Sequence, residues 1–142
     1  MVAYLDSSVV LRHILNGEKA IQHALACENI IASEILEIEC RRVIHRYRLQ
    51  NELDDMKFIY AMERLDKVLA GLSLVKLSEP IKKRAMGTFP VIIKTLDALH
   101  IATALIYSER VPDETLLLFS HDDNMNRCAR ALGFSAPFMG EA

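Results

Sequence analysis

Short, mainly apolar segments alternate with longer segments that carry apolar residues every three or four positions. The short segments are typical of strands buried on both faces, as in a parallel sheet; they are residues 2–5, 29–32, 72–77 and 116–119, with a last short candidate near Phe134. The longer segments have the periodicity of helices; they are residues 9–15, 18–27, about 34–50, 55–70, one opened by Ser78-Glu79-Pro80, about 96–109 and 123–132.

Residues that favour helix ends stand at the borders of these segments. Predicted N-caps offer a side-chain oxygen to a free backbone N–H; they are Ser7 or Ser8, Ser33, Asp54 or Asp55, and Thr95. Glycines follow several predicted C-terminal ends; they are Gly17, Gly71, Gly87 and Gly133. This alternation predicts one domain over residues 1–142 with an α/β fold, a three-layer α/β/α sandwich around a central, mainly parallel sheet.

The composition excludes several classes of protein. Hydrophobic residues make up 51% of the chain and charged residues 25%, so a disordered or fibrous chain is excluded. Seventeen Lys and Arg against nineteen Asp and Glu give a net charge of −2. This balance argues against binding nucleic acid through bulk positive charge, so any such contact needs a local patch or a bound metal.

The cysteines and the apolar stretches predict a soluble, cytoplasmic protein. Cys27, Cys40 and Cys128 are odd in number and widely spaced, which favours reduced thiols. Asp6 and Arg12 interrupt the apolar N-terminal run, where a signal peptide would need an unbroken one. No stretch reaches the ~18 apolar residues of a membrane span.

Carboxylates follow two of the predicted strands. Asp6 comes directly after residues 2–5, and Asp122-Asp123 follows residues 116–119. Because ligands bind at the carboxyl ends of parallel strands, these acids could meet in a site. Each acid taken alone could equally be a turn former or a helix cap.

Two further acids lie on apolar faces of predicted helices. Asp97 begins a stripe that continues through Ile101 and Leu105, although it could simply complement the helix dipole. Glu39 lies between Ile35 and Val43 at spacings of four. An unpaired buried carboxylate is costly, so it needs a partner, a proton or a metal. For Glu39, an ion pair with Arg42 or Arg46 on the same face is the alternative.

Acids that share a site raise one another's pKa values, and a divalent cation is the usual compensation. Oxygen-only ligands favour Mg²⁺ or Mn²⁺ over Zn²⁺. Such a metal activates water and screens the charge that develops on a phosphodiester. The residues therefore point to phosphodiester hydrolysis.

Four segments in order along the chain resemble those of PIN-domain ribonucleases, and among them the VapC-type toxins of VapBC toxin–antitoxin pairs. The segments are YLDSSVVL (4–11), ASEILEIECRR (32–42), TLDALHIATAL (95–105) and SHDDNMNRCARALGF (120–134). The resemblance covers nearly the whole chain. It implies a PIN-like fold, a Mg²⁺- or Mn²⁺-dependent endoribonuclease, a homodimer, and an antitoxin whose C-terminal segment blocks the active-site groove.

The resemblance also implies roles for individual residues. Asp6, Glu39, Asp97 and Asp122 correspond to the catalytic residues of the family, and Asp6, Asp97 and Asp122 among them to metal ligands. Glu39 matches the acid of the second motif, which would be a ligand through water or would help to position the attacking water. Asp123 could share or exchange roles with Asp122. Supporting side chains are implied at Ser7 and Ser120.

Other interpretations stay open at this stage. The chain could be a catalytically inactive PIN-like module that binds RNA or protein, or an acid-based phosphotransfer enzyme, although Asp6 lacks a D-x-D pattern. His100 could hydrogen-bond near the site or be purely structural. The cluster of Arg41, Arg42, Arg46 and Arg48 could contact phosphates or form ion pairs. The apolar faces of residues 9–25 and 55–70 could serve a dimer or an antitoxin.

Overall fold

The structure, a computed structural model, describes residues 1–139. In that part of the chain four strands form one parallel sheet; they are β1 (Val2–Leu5), β2 (Asn29–Ser33), β3 (Ser73–Val75) and β4 (Leu116–Phe119). Their order in the sheet is β3-β2-β1-β4. The helices are α1 (Ser7–Asn16), α2 (Ile21–Leu25), α3 (Ile35–Leu49), α4 (Asp55–Ala70), α5 (Glu79–Ala85), α6 (Thr95–Arg110) and α7 (Asp123–Ala131).

Alternate residues of the central strand face two different helical layers. Ala3 and Leu5 of β1 pack with α1, α2, α3 and α4 in one apolar cluster. Val2 and Tyr4 pack on the other side with α6 and α7. α5 lies behind α6, where Ile81 is buried. Because helices cover both faces, the central strand is apolar at every position, and the predicted three-layer α/β/α fold is confirmed.

The predicted elements differ from the structure mainly where the sheet ends. β3 is only Ser73–Val75, because it pairs with β2 alone and its first two residues are exposed. The predicted helix over 18–27 is reduced to the five residues of α2. Near Phe134 there is a single parallel bridge between Leu117 and Ser135 rather than a strand.

Two predicted N-caps are wrong. Asp6, not Ser7 or Ser8, caps α1, because its extended backbone directs the carboxylate to the Ser7 N–H at 2.9 Å. Thr95 is already the first residue of α6, and Lys94 before it makes no side-chain cap bond.

Among the other predicted caps, Asp54 and Gly17 fit the structure, whereas Ser33 lies one residue before Glu34, the N-cap of α3. The Asp54 side chain accepts from the Lys57 N–H. The Ser33 hydroxyl accepts from the Ile35 N–H at 3.3 Å. Gly17 ends α1 in the left-handed region, at a φ of 69°.

No helix within residues 1–139 is both long enough and apolar enough to cross a membrane.

Candidate active site

Asp6 lies where β1 ends, beside the end of β4, and its carboxylate accepts three hydrogen bonds. Oδ1 accepts from the Ser7 N–H at 2.9 Å. Oδ2 accepts from the Ser8 hydroxyl at 2.9 Å and from the Ser120 hydroxyl at 2.7 Å. With 4% of its surface exposed, Asp6 is a buried charge that three protein donors compensate.

The same serines hold the segment that carries the last pair of acids. The Ser8 hydroxyl accepts from the His121 N–H at 2.9 Å, and the Ser120 hydroxyl accepts from the Asp122 N–H at 3.0 Å. Asp122 caps α7 by accepting from the Met125 N–H at 2.9 Å, and both it and Asp123 are exposed. Ser7 and Ser120 thus each donate a hydrogen bond to Asp6, while their roles as supports of metal ligands stay predictions. Asp122 makes the helix-capping contact that was its alternative.

Asp97 lies in the first turn of α6 and has no such donors. Within residues 1–139 its half-buried carboxylate accepts no hydrogen bond. Burial and the charges of Asp6, Asp122 and Glu39 together raise the pKa of Asp97 to about 6, although His100 partly opposes them. The pKa of Asp97 therefore responds to the charges of all three other acids. The charge of Asp122, but not that of the adjacent Asp123, is among the largest contributions to this shift.

Glu39 reaches the site from α3. Its Oε1 lies 2.6 Å from His100 Nε2, and its Oε2 accepts from the Ser7 hydroxyl at 3.4 Å. Among the described residues neither Arg42 nor Arg46 forms an ion pair with Glu39, so that alternative is wrong.

His100 is fully buried and uses both ring nitrogens. Nδ1 lies 2.7 Å from the Tyr4 hydroxyl, opposite the contact of Nε2 with Glu39. Burial lowers the pKa of His100, but the hydrogen bond to Glu39 and the charges of Asp6, Glu39 and Asp97 reverse this and leave it raised.

The role of His100 was left open by the sequence, and Tyr4 was not predicted as a site residue. His100 follows Asp97 by three residues, which puts it about one helical turn further along. Tyr4 carries the only side-chain oxygen in the apolar strand β1. A buried hydroxyl needs a partner, and this was the signal that could have found it.

The arginines of α3 divide into two pairs. Arg41 forms ion pairs with Glu37 and Asp66, and Arg48 forms one with Asp55. Arg42 and Arg46 are exposed and form no ion pair within residues 1–139. They line a groove beside Glu39 whose remaining wall is mainly apolar; it comprises Ser7, Leu11, Ile35, Ile38, Val43, His45, Leu49 and Leu96.

The four predicted acids thus act on one another through their charges, but they are not a ready-made metal cluster. Within residues 1–139, no group of three or more His, Cys, Asp or Glu side chains is arranged so that it could hold a metal ion. Carboxylate oxygens of Asp6 and Asp122 already accept hydrogen bonds from the protein. The donor set nonetheless suits a hard divalent cation, because it consists of carboxylates and the charge on Asp97 lacks a protein partner.

Comparisons with known proteins add to this geometry. The family model described as the PIN domain matches residues 3–131. Ribonuclease VapC46 from Mycobacterium tuberculosis is 33% identical over 69 residues, which is 49% of this chain and 50% of that protein. The match therefore spans about half the length of this relative.

A crystal structure of VapBC2 from Rickettsia felis bound to a DNA fragment from their promoter has a similar fold. The TM-score is 0.66 at 14% identity, over 96% of this chain and 97% of the other. At that identity the likeness concerns the fold alone.

Proposed function

Because the chain belongs to the PIN domain family, we propose that it is a divalent-metal-dependent endoribonuclease that acts as the toxin of a toxin–antitoxin pair. The observation that carries the proposal is that shared contacts bring the acids together: the Ser120 hydroxyl bridges Asp6 and the Asp122 N–H, and His100 Nε2 lies 3.8 Å from Asp6 and 2.6 Å from Glu39. Burial and the charges of Asp6, Asp122 and Glu39 raise the pKa of Asp97, which agrees with this grouping. The similarity to a ribonuclease named VapC46 supports the same activity.

The surroundings of each acid indicate its proposed role in catalysis. Asp97, Asp6 and Asp122 would ligate a Mg²⁺ or Mn²⁺ ion. When bound, such an ion supplies Lewis acidity and a water of lowered pKa for hydrolysis of a phosphodiester. Glu39 keeps Oε2 toward Ser7 and the groove, where it can orient a water or accept its proton. Asp6 is fixed in place by its three donors before any substrate arrives.

The test is cleavage of RNA by the purified protein with Mg²⁺ or Mn²⁺, with a chelator as the second arm. We expect wild type to cut RNA, and Asp97→Asn to lose about 100- to 1,000-fold in rate because a transition-state charge loses its compensation. Asp123→Asn is the matched control and should keep wild-type activity. Full activity of Asp97→Asn would overturn the assignment.

An inactive PIN-like module that binds RNA or protein is the second candidate. The observation that favours it is that the acids do not form a ready-made metal cluster in the described residues. Such a module need not bind Mn²⁺ at the acids and would leave RNA intact under every metal condition. A Mn²⁺ titration therefore separates the two candidates.

Arg42 and Arg46 are the proposed contacts of the protein with the RNA backbone. Arg42 and Arg46 lie beside Glu39 without ion pairs, and a phosphate backbone could follow them along the groove. Arg46→Glu should weaken RNA binding and lower the salt slope by about one. An unchanged affinity and slope would remove Arg46 from the RNA site.

The groove and an exposed apolar face of α4 are the proposed contact surfaces for partner proteins. The mainly apolar groove is large enough, at about 900 Å³, to take a segment of a cognate antitoxin. Exposed Met56, Ile59 and Tyr60 on one face of α4 are candidates for a homodimer contact. A monomer in light scattering at micromolar concentration would count against the dimer.

A cytoplasmic location is also proposed. It is supported by the free thiols of Cys27, Cys40 and Cys128.

A further inference from the structure

Tyr4 and His100 form a buried chain of hydrogen bonds that ends on Glu39. We propose that both are positioning residues, which fix the Glu39 carboxylate by holding its Oε1 and leave Oε2 directed at the groove. This inference rests on the proposed function, in which Glu39 acts on a water. The chain runs from β1 through α6 to α3, so it joins all three layers at the site.

The Tyr4 hydroxyl sets the direction of the chain. Its oxygen accepts from the Ser33 N–H at 3.3 Å, at the end of β2. Its own proton is then free to be donated to His100 Nδ1, 2.7 Å away. A hydroxyl has a single proton, so the neighbouring nitrogen must accept when that proton points at it.

The consequence for Glu39 follows from the two nitrogens of the imidazole. When Nδ1 accepts from Tyr4, His100 is neutral and carries its proton on Nε2. A charged His100 carries protons on both nitrogens, so its Nδ1 donates to the Tyr4 oxygen instead, and Nε2 still has its proton. In both forms Nε2 donates to Glu39 Oε1 at 2.6 Å. The bond therefore does not depend on the charge of the ring.

Burial makes this chain a stiff support. Tyr4 and His100 have no exposed surface, and their rings meet edge to face with centroids 5.8 Å apart. Glu39 has 17% of its side chain exposed, so it is the only member that solvent or substrate can reach. A side chain on a helix facing a groove would otherwise sample several rotamers.

The experiment compares His100→Leu, His100→Gln and Tyr4→Phe in RNA cleavage with Mn²⁺. We expect His100→Leu to lower kcat about 10- to 100-fold with KM within about twofold, since the outer support of a site residue is lost while RNA contacts remain. His100→Gln keeps an N–H that can reach Glu39, so its kcat should be about tenfold higher than that of His100→Leu. The kcat of Tyr4→Phe should lie between those of His100→Leu and His100→Gln.

Tyr107→Phe is the matched control, because it removes another hydroxyl attached to α6 whose partner, Glu114, is away from the acids. Its kcat should equal that of wild type. A kcat for His100→Leu within twofold of wild type, or His100→Gln no better than His100→Leu, would overturn the positioning role. A loss confined to KM would do the same.

A second measurement does not depend on activity. Nitrogen-15 NMR of the histidine rings should find a proton on His100 Nε2 whose shift changes in Glu39→Gln and not in Tyr107→Phe. An Nε2 without a proton would overturn the inference. If wild type cuts no RNA with any divalent ion, the proposed function fails, and this measurement still decides whether the chain holds Glu39.

Discussion

Asp6 and Asp97 belong to one group of charges but have opposite surroundings. Asp6 is buried and accepts three hydrogen bonds, two of them from the hydroxyls of Ser8 and Ser120. Asp97 is half-buried, accepts none within residues 1–139, and has a pKa raised to about 6. The protein thus compensates one acid itself and leaves the other to an external cation or a proton. We therefore expect Asp6 to contribute to stability as well as to the proposed chemistry, and Asp97 to contribute to the proposed chemistry alone.

The largest effect that this contrast predicts is on folding. Asp6→Asn replaces a charged acceptor and turns an NH₂ group toward a donor, so we expect it to lower the free energy of unfolding by about 2–3 kcal/mol. Asp97→Asn has no hydrogen bond to lose and should stay within about 1 kcal/mol of wild type in metal-free buffer. Urea unfolding measures both, and equal losses would break the comparison.

Removing one donor should give a smaller effect of the same kind. Ser120→Ala deletes the 2.7 Å bond to Asp6 and leaves the Asp122 N–H without its acceptor. We expect a loss of about 1–2 kcal/mol in the free energy of unfolding. Ser73→Ala, on the exposed edge strand, is the control and should change little. A wild-type stability for Ser120→Ala would mean that Asp6 does not need its donors.

The pH dependence tests the other side of the contrast. The folded pKa of Asp97, about 6, lies above the ~3.9 of an unfolded chain, so the folded state binds more protons between these values. Stability in metal-free buffer should therefore fall as pH rises from about 4 to 6, by about 1 kcal/mol once solvent screening is allowed for. Asp97→Asn should lack this component, and identical pH profiles would contradict the raised pKa.

The smallest effect separates the two adjacent acids. Asp122→Asn keeps a good N-cap for α7 but removes a charge that acts on Asp97. We expect the pKa of Asp97 to move down toward its ordinary value, with stability within about 0.5 kcal/mol of wild type. Asp123→Asn should leave that pKa in place. Carbon-13 NMR titration of the Asp97 carboxyl distinguishes the two, and the reverse order would assign the fourth acid to Asp123.

The fold could be predicted from sequence because its signals are local. Strands buried on both faces are apolar throughout, and the helices between them keep their periodicity and their glycine ends. The short β3 and the single bridge at Ser135 could not be predicted, since they depend on which neighbours the sheet provides. The PIN-family resemblance inferred from the four motifs is confirmed by the match over residues 3–131. A single domain over residues 1–142 stays a prediction.

From the sequence it could be predicted that the four acids lie near one another, but not which contacts they make. Helical facing put Glu39 on the apolar side of α3, yet the same pattern allowed a pair with Arg46. The true partner, His100, lies 61 positions away and is decided by packing across the sheet. The capping role of Asp122 likewise depends on where α7 begins. The metal-ligand roles stay predictions.

Mn²⁺ binding followed by electron paramagnetic resonance shows whether Asp97 is the acid that a cation compensates. We expect wild type and Asp123→Asn to bind Mn²⁺ with the same Kd. Asp97→Asn should bind at least about tenfold more weakly, because an acid without a protein partner is the one that needs the cation. Equal binding by all three proteins, or no binding by wild type, would contradict this role of Asp97.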